Sequence, residues 1–386
     1  MKPKLIYLDN NATTPVDPRV LEEMLPFFTE KFGNASSIHH PFGWDAEEAV
    51  THAREQAAEL IGAKPNAIYF TSGATEAINL ALKGVYEANK TEKNHIITCQ
   101  TEHRAVLDTC AYLENQGCRV TYLSVDEAGV IDFQELANSI TAQTLLVSIM
   151  HANNETGVIQ PLQKIADLVK EKAALFMTDA TQSVGKVPFD VNELPIDLAV
   201  FSSHKMYGPK GAGALYVSKK STIKIAPYLH GGGQEKDLRP GTLNVPGIVG
   251  FGKACELCLL ERENESEQLT HLRDRLESSL LKLEGVVVNG HPTHRLPHVT
   301  NLSFGSVEGG SPFIRALKGL AVSQGSACSS NTMEPSHVLK SMGVSNKLAL
   351  STIRFGIGRF NTTEEIDEAI RIVARALEEL RPVTIK

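Results

Sequence analysis

The chain has 386 residues, 42% hydrophobic and 22% charged, with a formal net charge of −7. That size admits two domains with sizeable cores, and the acidic balance argues against a general nucleic-acid binder, which needs a basic face. No apolar run approaches the ~18 residues needed to span a bilayer, and Met1 to Asp9 holds no signal-peptide core, so the chain reads as cytoplasmic.

Apolar runs alternate with helical patterns through the first two-thirds of the chain. Residues 67–70 predict a strand, with a helix over 75–88; 95–98 predict a strand, with a helix from about 105 to 116. A strand over 119–123, a helix near 133–139, a strand over 144–149 and a helix from about 162 to 172 follow. Two further apolar runs, 174–178 and 198–201, end in Asp179 and in Ser202-Ser203-His204-Lys205. Such alternation predicts crossover units and a mostly parallel, buried sheet, whose ligands bind beyond the carboxyl ends of the strands. The charged stretch Glu261 to Glu267 leads into a helix ending near Leu283, read as the link to a smaller domain with its charges on a solvated face. Strands over 286–288, 299–304 and 351–355 and helices near 312–318 and over 363–380 complete a small α/β domain. The expected division is an N-terminal segment over 1–15 packing near the active site and the small domain, a large domain over 16–262, and a small C-terminal domain over 263–386.

Cysteines at 99, 110, 118, 255, 258 and 328 form no disulfide framework. Cys255 and Cys258 lie on an amphipathic helical pattern and read as core residues rather than a redox or metal pair. His291, His294 and His298 read as a surface loop, not a metal site. The glycine-rich stretch Gly231 to Gly233, followed by Gly241-Thr242, reads as a surface loop or as one that closes over an active site, including that of a second subunit.

A lysine at the tip of a buried strand can form a Schiff base with an aldehyde cofactor, and an aspartate at a neighbouring tip can keep a pyridinium nitrogen protonated. Lys205 and Asp179 therefore describe a site for pyridoxal 5′-phosphate. Thr71 to Glu76, between a strand and a helix, is either an ordinary cap with Ser72 or Thr75 or a phosphate cradle shared with Ser202 and His204. Asp179 can instead cap the next turn, and Gln182 and Asn154 can donate to the cofactor's phenolic oxygen. His103 is either structural or a ring-stacking acid–base group. Arg354, on a strand, needs a partner: a substrate carboxylate or an internal acid. Cys328, among small and polar neighbours, suits a reachable, nucleophilic thiol.

Taken together, these residues resemble the cysteine desulfurases, fold-type-I enzymes related to class V aminotransferases. The resemblance spans essentially the whole chain: Leu8 to Pro15, Thr71 to Glu76, Thr101-Glu102-His103, Asn153-Asn154-Glu155, Asp179 to Ser183, His204-Lys205, Gly231 to Gly233 with Gly241-Thr242, Ser326-Ala327-Cys328, Ile353-Arg354-Phe355 and Gly358-Arg359-Phe360. The cysteine stretch looks like the NifS- and IscS-type branch. Ser203 and Arg104 depart from the residues common at their positions, without touching an implied role.

The resemblance implies a large domain with a mostly parallel seven-stranded sheet, a small C-terminal α/β domain and a homodimer. It implies conversion of L-cysteine to L-alanine, with a persulfide on Cys328 passed to acceptors such as an iron–sulfur scaffold. Lys205, Cys328 and His103 would be catalytic. The cofactor would be held by Ala74, Thr75, His103, Asn154, Asp179, Gln182, Ser202, His204 and Lys205, with Thr242 from the partner. Asn154 and Arg354 would orient the substrate carboxylate. No metal site follows, and whether the Cys328 sulfur ligates a cluster stays open. A selenocysteine lyase or a class V aminotransferase is the alternative; a non-enzymatic sulfur scaffold fits poorly, because Lys205, Asp179 and Cys328 are all present.

Overall fold

The computed structural model describes residues 5–220, 223–307, 311–324 and 334–380; Cys328 lies outside them. In chain order the elements are β1 (Ile6–Tyr7), α1 (Pro18–Met24), α2 (Pro26–Thr29), α3 (Pro41–Leu60), β2 (Ile68–Thr71), α4 (Ala74–Asn89), β3 (His95–Cys99), α5 (Arg104–Glu114) and β4 (Arg119–Leu123). Next come α6 (Phe133–Ser139), β5 (Thr144–Ser148), α7 (Leu162–Glu171), β6 (Leu175–Asp179), β7 (Leu198–Ser202), β8 (Gly213–Val217) and α8 (Val245–Leu280). The C-terminal third holds β9 (Val286–Val288), β10 (Val299–Phe304), α9 (Ser311–Ala316), β11 (Leu320–Ala321), α10 (His337–Ser341), α11 (Asn346–Leu350), β12 (Thr352–Gly356) and α12 (Thr363–Leu380).

The central sheet has seven strands in the order β2-β8-β7-β6-β5-β3-β4. All pairs are parallel except those of β8, which runs antiparallel to β2 and β7. Every residue of β5, β7 and β8 is buried, as continuous apolar runs covered by helices on both faces require. One face packs under α3 and the first half of α8, the other under α4 and α5. A second, antiparallel sheet, β12-β10-β9, packs with α12 and the second half of α8 around its own core, which also takes in Ile6 and Leu8. The 36-residue helix α8 thus serves two cores and runs unbroken across residues 262 and 263.

That crossing corrects one expectation. Glu265 is buried rather than solvated: Lys186 Nζ donates to its Oε1 at 2.9 Å and Arg359 to its Oε2 at 2.6 Å. A helix that leaves one core and enters another carries part of its charged face beneath the join, where a carboxylate persists only with cationic partners. His298 is likewise buried, not on a surface loop, although His294 is exposed. Cys255 and Cys258 are core residues of α8, and no cluster of three or more metal-ligating side chains occurs among the described residues. Cys99, Cys110 and Cys118 are also buried and unpaired.

Candidate active site

The carboxyl ends of β2, β3, β5, β6 and β7 converge on a cavity of about 670 Å³, lined also by Asp9, Asn11, Ala12 and Thr13 and by Ser323 and Arg354. Lys205 ends a single 3₁₀ turn that follows β7. Its Nζ donates to the backbone carbonyls of Asn11 at 2.6 Å and Ala12 at 2.7 Å. Asp179 is the last residue of β6, the parallel neighbour of β7. Its Oδ1 accepts the Thr181 N–H at 2.9 Å, so the turn-capping reading holds for one carboxylate oxygen while the side chain also lines the cavity.

His103 is the N-cap of α5: its Nδ1 accepts the Ala105 N–H at 3.1 Å. A ring nitrogen that accepts cannot carry the proton, so the neutral imidazole bears its hydrogen on Nε2. Burial lowers its pKa, the nearby Asp179 charge opposes this, and Lys205 reinforces it. The adjacent Glu102 is fully buried beneath the site, its Oε1 accepting the Met150 N–H. Burial and then the Asp179 charge hold its carboxyl well above the usual range, which favours the protonated acid.

Helix α4 opens at Gly73, with φ of +152° and no side chain capping its first turn. Ser72 does not cap it; its own N–H donates to Glu76. The uncapped N–H groups at Ala74 and Thr75, with the positive end of a 16-residue helix, form an anion cradle. The backbone must be glycine on the facing strand, because a Cβ on Gly213 would stand 2.6 Å from Gly73 Cα. Ser202 and His204 complete this end of the cavity. Burial, then the positive charges of Lys205 and Lys210, hold the His204 pKa at about 4.

Gln182 donates to the Asn11 carbonyl at 3.0 Å, and the Asn154 carbonyl accepts from Arg354 at 2.9 Å. Both readings of Arg354 meet here. It pairs with Asp9 at 2.8 Å, yet its buried Nε has no partner and the guanidinium lines the cavity. Thr181 Oγ1 and Asn11 Oδ1 are also buried without partners at this cavity. Unsatisfied polar atoms cost free energy unless a ligand meets them. An amine, an anion cradle, a carboxylate and spare donors around one space fit pyridoxal 5′-phosphate.

The cavity brings together Ala74, Thr75, His103, Asn154, Asp179, Gln182, Ser202, His204, Lys205 and Arg354. Thr242 is exposed and does not line it in this chain. The carbonyls of Asn11 and Ala12, the acid Asp9 and the hydroxyl of Thr181 went unassigned in the sequence. The runs Leu8 to Pro15 and Asp179 to Ser183 contain them, but a backbone carbonyl leaves no signature of residue type.

A model of the class-V aminotransferase family matches residues 6–369. The chain is 52% identical over 380 residues to a protein named cysteine desulfurase IscS from Anaeromyxobacter sp. (strain K), covering 98% of this chain and 94% of that one. It is 50% identical to its namesake from Rickettsia massiliae (strain Mtu5), covering 98% and 92%. A solved structure titled NifS-like protein superposes with a TM-score of 0.91 at 41% identity, covering 97% of this chain and all of the other.

Proposed function

This chain belongs to the class-V aminotransferase family and, within it, to the cysteine desulfurases, and from that premise we propose how its residues divide the work. It is a pyridoxal 5′-phosphate enzyme that converts L-cysteine to L-alanine and yields the sulfur to a thiol. When bound, the cofactor supplies an electron sink for the bonds broken at the amino acid.

Lys205 would hold the cofactor through its amine and would carry a proton at Nζ. Asp179 would hold the ring nitrogen protonated, Gln182 and Asn154 would serve the ring oxygen, and His103, with its hydrogen on Nε2, would support the ring and move a proton. The phosphate would be held by the N–H groups of Ala74 and Thr75, with Ser202 and His204. His204 would meet the phosphate through its ring as a hydrogen-bonding group. Arg354 offers its unpartnered Nε, with Asn154, to the substrate carboxylate. At Cys328 the substrate's C–S bond breaks, an S–S bond forms, and the carbon skeleton takes up a proton to leave as alanine. The persulfide sulfur then passes to an acceptor protein such as an iron–sulfur scaffold.

Two copies assemble as a homodimer, each lending Thr242 to the other's phosphate. Support comes from the exposed apolar side chains Leu25, Phe28, Phe32, Ile38, Phe42 and Trp44 around α1 to α3, too many for an uncovered surface. We assign residues 16–262 to the large domain and 263–386 to the small one, with 1–15 closing the site. No helix among the described residues is long and apolar enough to cross a membrane, and we place the chain in the cytoplasm.

The observation that carries this reading is the convergence of Lys205, Asp179 and Arg354, from two sheets, on one cavity. Purified protein should absorb in the visible and release sulfide from L-cysteine plus reductant. Cys328→Ala should keep the absorbance and lose turnover by at least about a thousandfold, and Lys205→Ala should lose both. Full turnover in Cys328→Ala would reject the assigned nucleophile.

A further inference from the structure

The chain on either side of residues 325–333 is fastened to immediate neighbours of the substrate-facing residues. On the N-terminal side, five residues before Cys328, Ser323 lies beside Arg354: the Arg354 N–H donates to the Ser323 carbonyl at 2.7 Å. On the C-terminal side, eight residues after Cys328, the Ser336 hydroxyl donates to Glu155 Oε2 at 2.5 Å and accepts the Leu339 N–H at 3.3 Å. His337 Nε2 stands 3.0 Å from the Glu102 carbonyl, which can only accept, so this nitrogen carries the hydrogen. Glu155 follows Asn154 in sequence and Glu102 precedes His103.

Asn153 locks these two receiving turns together. Its Nδ2 donates to the Thr101 carbonyl at 2.9 Å, and its Oδ1 accepts the Glu155 and Thr156 N–H groups at 2.8 and 3.0 Å. Asn301, from the small antiparallel sheet, donates to the Glu155 carbonyl at 3.1 Å. Glu155 and Ser336 are both almost wholly buried. Neither lines the cavity, so their bond serves no ligand directly.

We propose that Glu155 is a positioning residue that, through Ser336, fixes the C-terminal end of the cysteine-bearing stretch against the Asn154 turn and so sets how often the Cys328 thiol meets the substrate sulfur. The proposal rests on Cys328 being the thiol that accepts sulfur. Tethering both ends of a short stretch raises the effective concentration of a group on it, and releasing one end lowers it. The bond makes and breaks nothing in the reaction; it acts on encounter alone.

The test uses the holoenzyme with Ser336→Ala, Glu155→Ala, the double variant and Glu155→Gln, which keeps an acceptor for the Ser336 hydroxyl. Visible absorbance and the spectral change on adding L-cysteine should match the unaltered protein, because cofactor and substrate groups are untouched. Single-turnover persulfide on Cys328 should fall about tenfold in each alanine variant, no further in the double variant, and recover in Glu155→Gln. In cofactor-free protein, iodoacetamide should alkylate Cys328 at least about threefold faster in Ser336→Ala. Persulfide formation at the unaltered rate in both alanine variants would overturn the proposal, as would a double variant showing the product of the two single losses. If Cys328→Ala itself forms product normally, the underlying reading fails instead.

Discussion

Arg354 and Arg359 lie five residues apart, both largely buried, and are used in opposite ways. Arg359 is saturated. It donates to Glu265 at 2.6 and 3.0 Å and to Asp17 at 2.7 Å, and its guanidinium stacks 4.4 Å from the Tyr207 ring centre. Lys186 shares both Glu265 and the opposite claim on Tyr207, at 4.2 Å, and Arg19 shares Asp17, so three cations (Arg19, Lys186, Arg359) meet three carboxylates (Asp17, Glu261, Glu265) where α8 leaves the large sheet. Arg354 has one acid, one carbonyl and a donor to spare. A fully partnered buried charge joins two parts of a fold, whereas one left short of partners is held ready for a ligand.

The largest effect should follow from breaking the saturated member. Arg359→Ala takes one cation from each of two buried carboxylates, leaving Glu265 to Lys186 and Asp17 to Arg19, and should cost about 3 kcal/mol in denaturant titration, with little change in the KM for L-cysteine of the folded fraction. A large KM change without loss of stability would erase the distinction. Arg354→Ala should reverse the pattern. We expect kcat/KM lower by about 10–100-fold, mainly through KM, consistent with losing a charge-assisted bond of about 1.5–3 kcal/mol; an unchanged KM would show that the spare donor meets no substrate. Asp9→Asn keeps a hydrogen-bonding group while removing the charge that orients Arg354, and should raise KM by only about two- to fivefold.

The smallest effect concerns pH. Burial would raise the Glu265 carboxyl, but Lys186 and Arg359 outweigh it and hold the pKa at about 2. A depressed carboxylate stabilises above its unfolded value and loses that contribution as pH falls from ~4.3 toward 2. Burial likewise holds His95, His151 and His204 at about 4 and His298 at about 3. The unfolded chain takes up those protons first, so stability should already decline as pH drops below ~6.5, with the Glu265 loss following at lower pH. A denaturation midpoint that stays level from pH 7 to pH 4.5 would contradict this.

The alternation of short apolar runs and helical periods placed α6, β4, β9, β10 and α12 at their observed ends, and put Asp179 and Lys205 on adjoining strand tips. Local pattern suffices there because each element buries its own face. It fails where partners are distant in sequence. Lys205 rests on Asn11 and Ala12, and Arg354 on Asp9 and on the Asn154 backbone. The two-residue strands β1 and β11 are too short to show alternation. Helix α8 was legible only in pieces, since its apolar face changes sides between cores. Glu265, in a charged and polar run, gave no sign of the cations awaiting it.

Burial of five cysteines has a consequence for an enzyme that handles loose sulfur. It pushes the thiols of Cys118 and Cys258 up to about 11 and Cys99 to about 12, and raises Cys110 and Cys255 as well. A thiol that does not ionise is a poor nucleophile. The scaffold is therefore deaf to its own cargo: a sulfane atom generated inside it finds no wrong address along the way, and fidelity of delivery begins with silencing the recipients that must not answer.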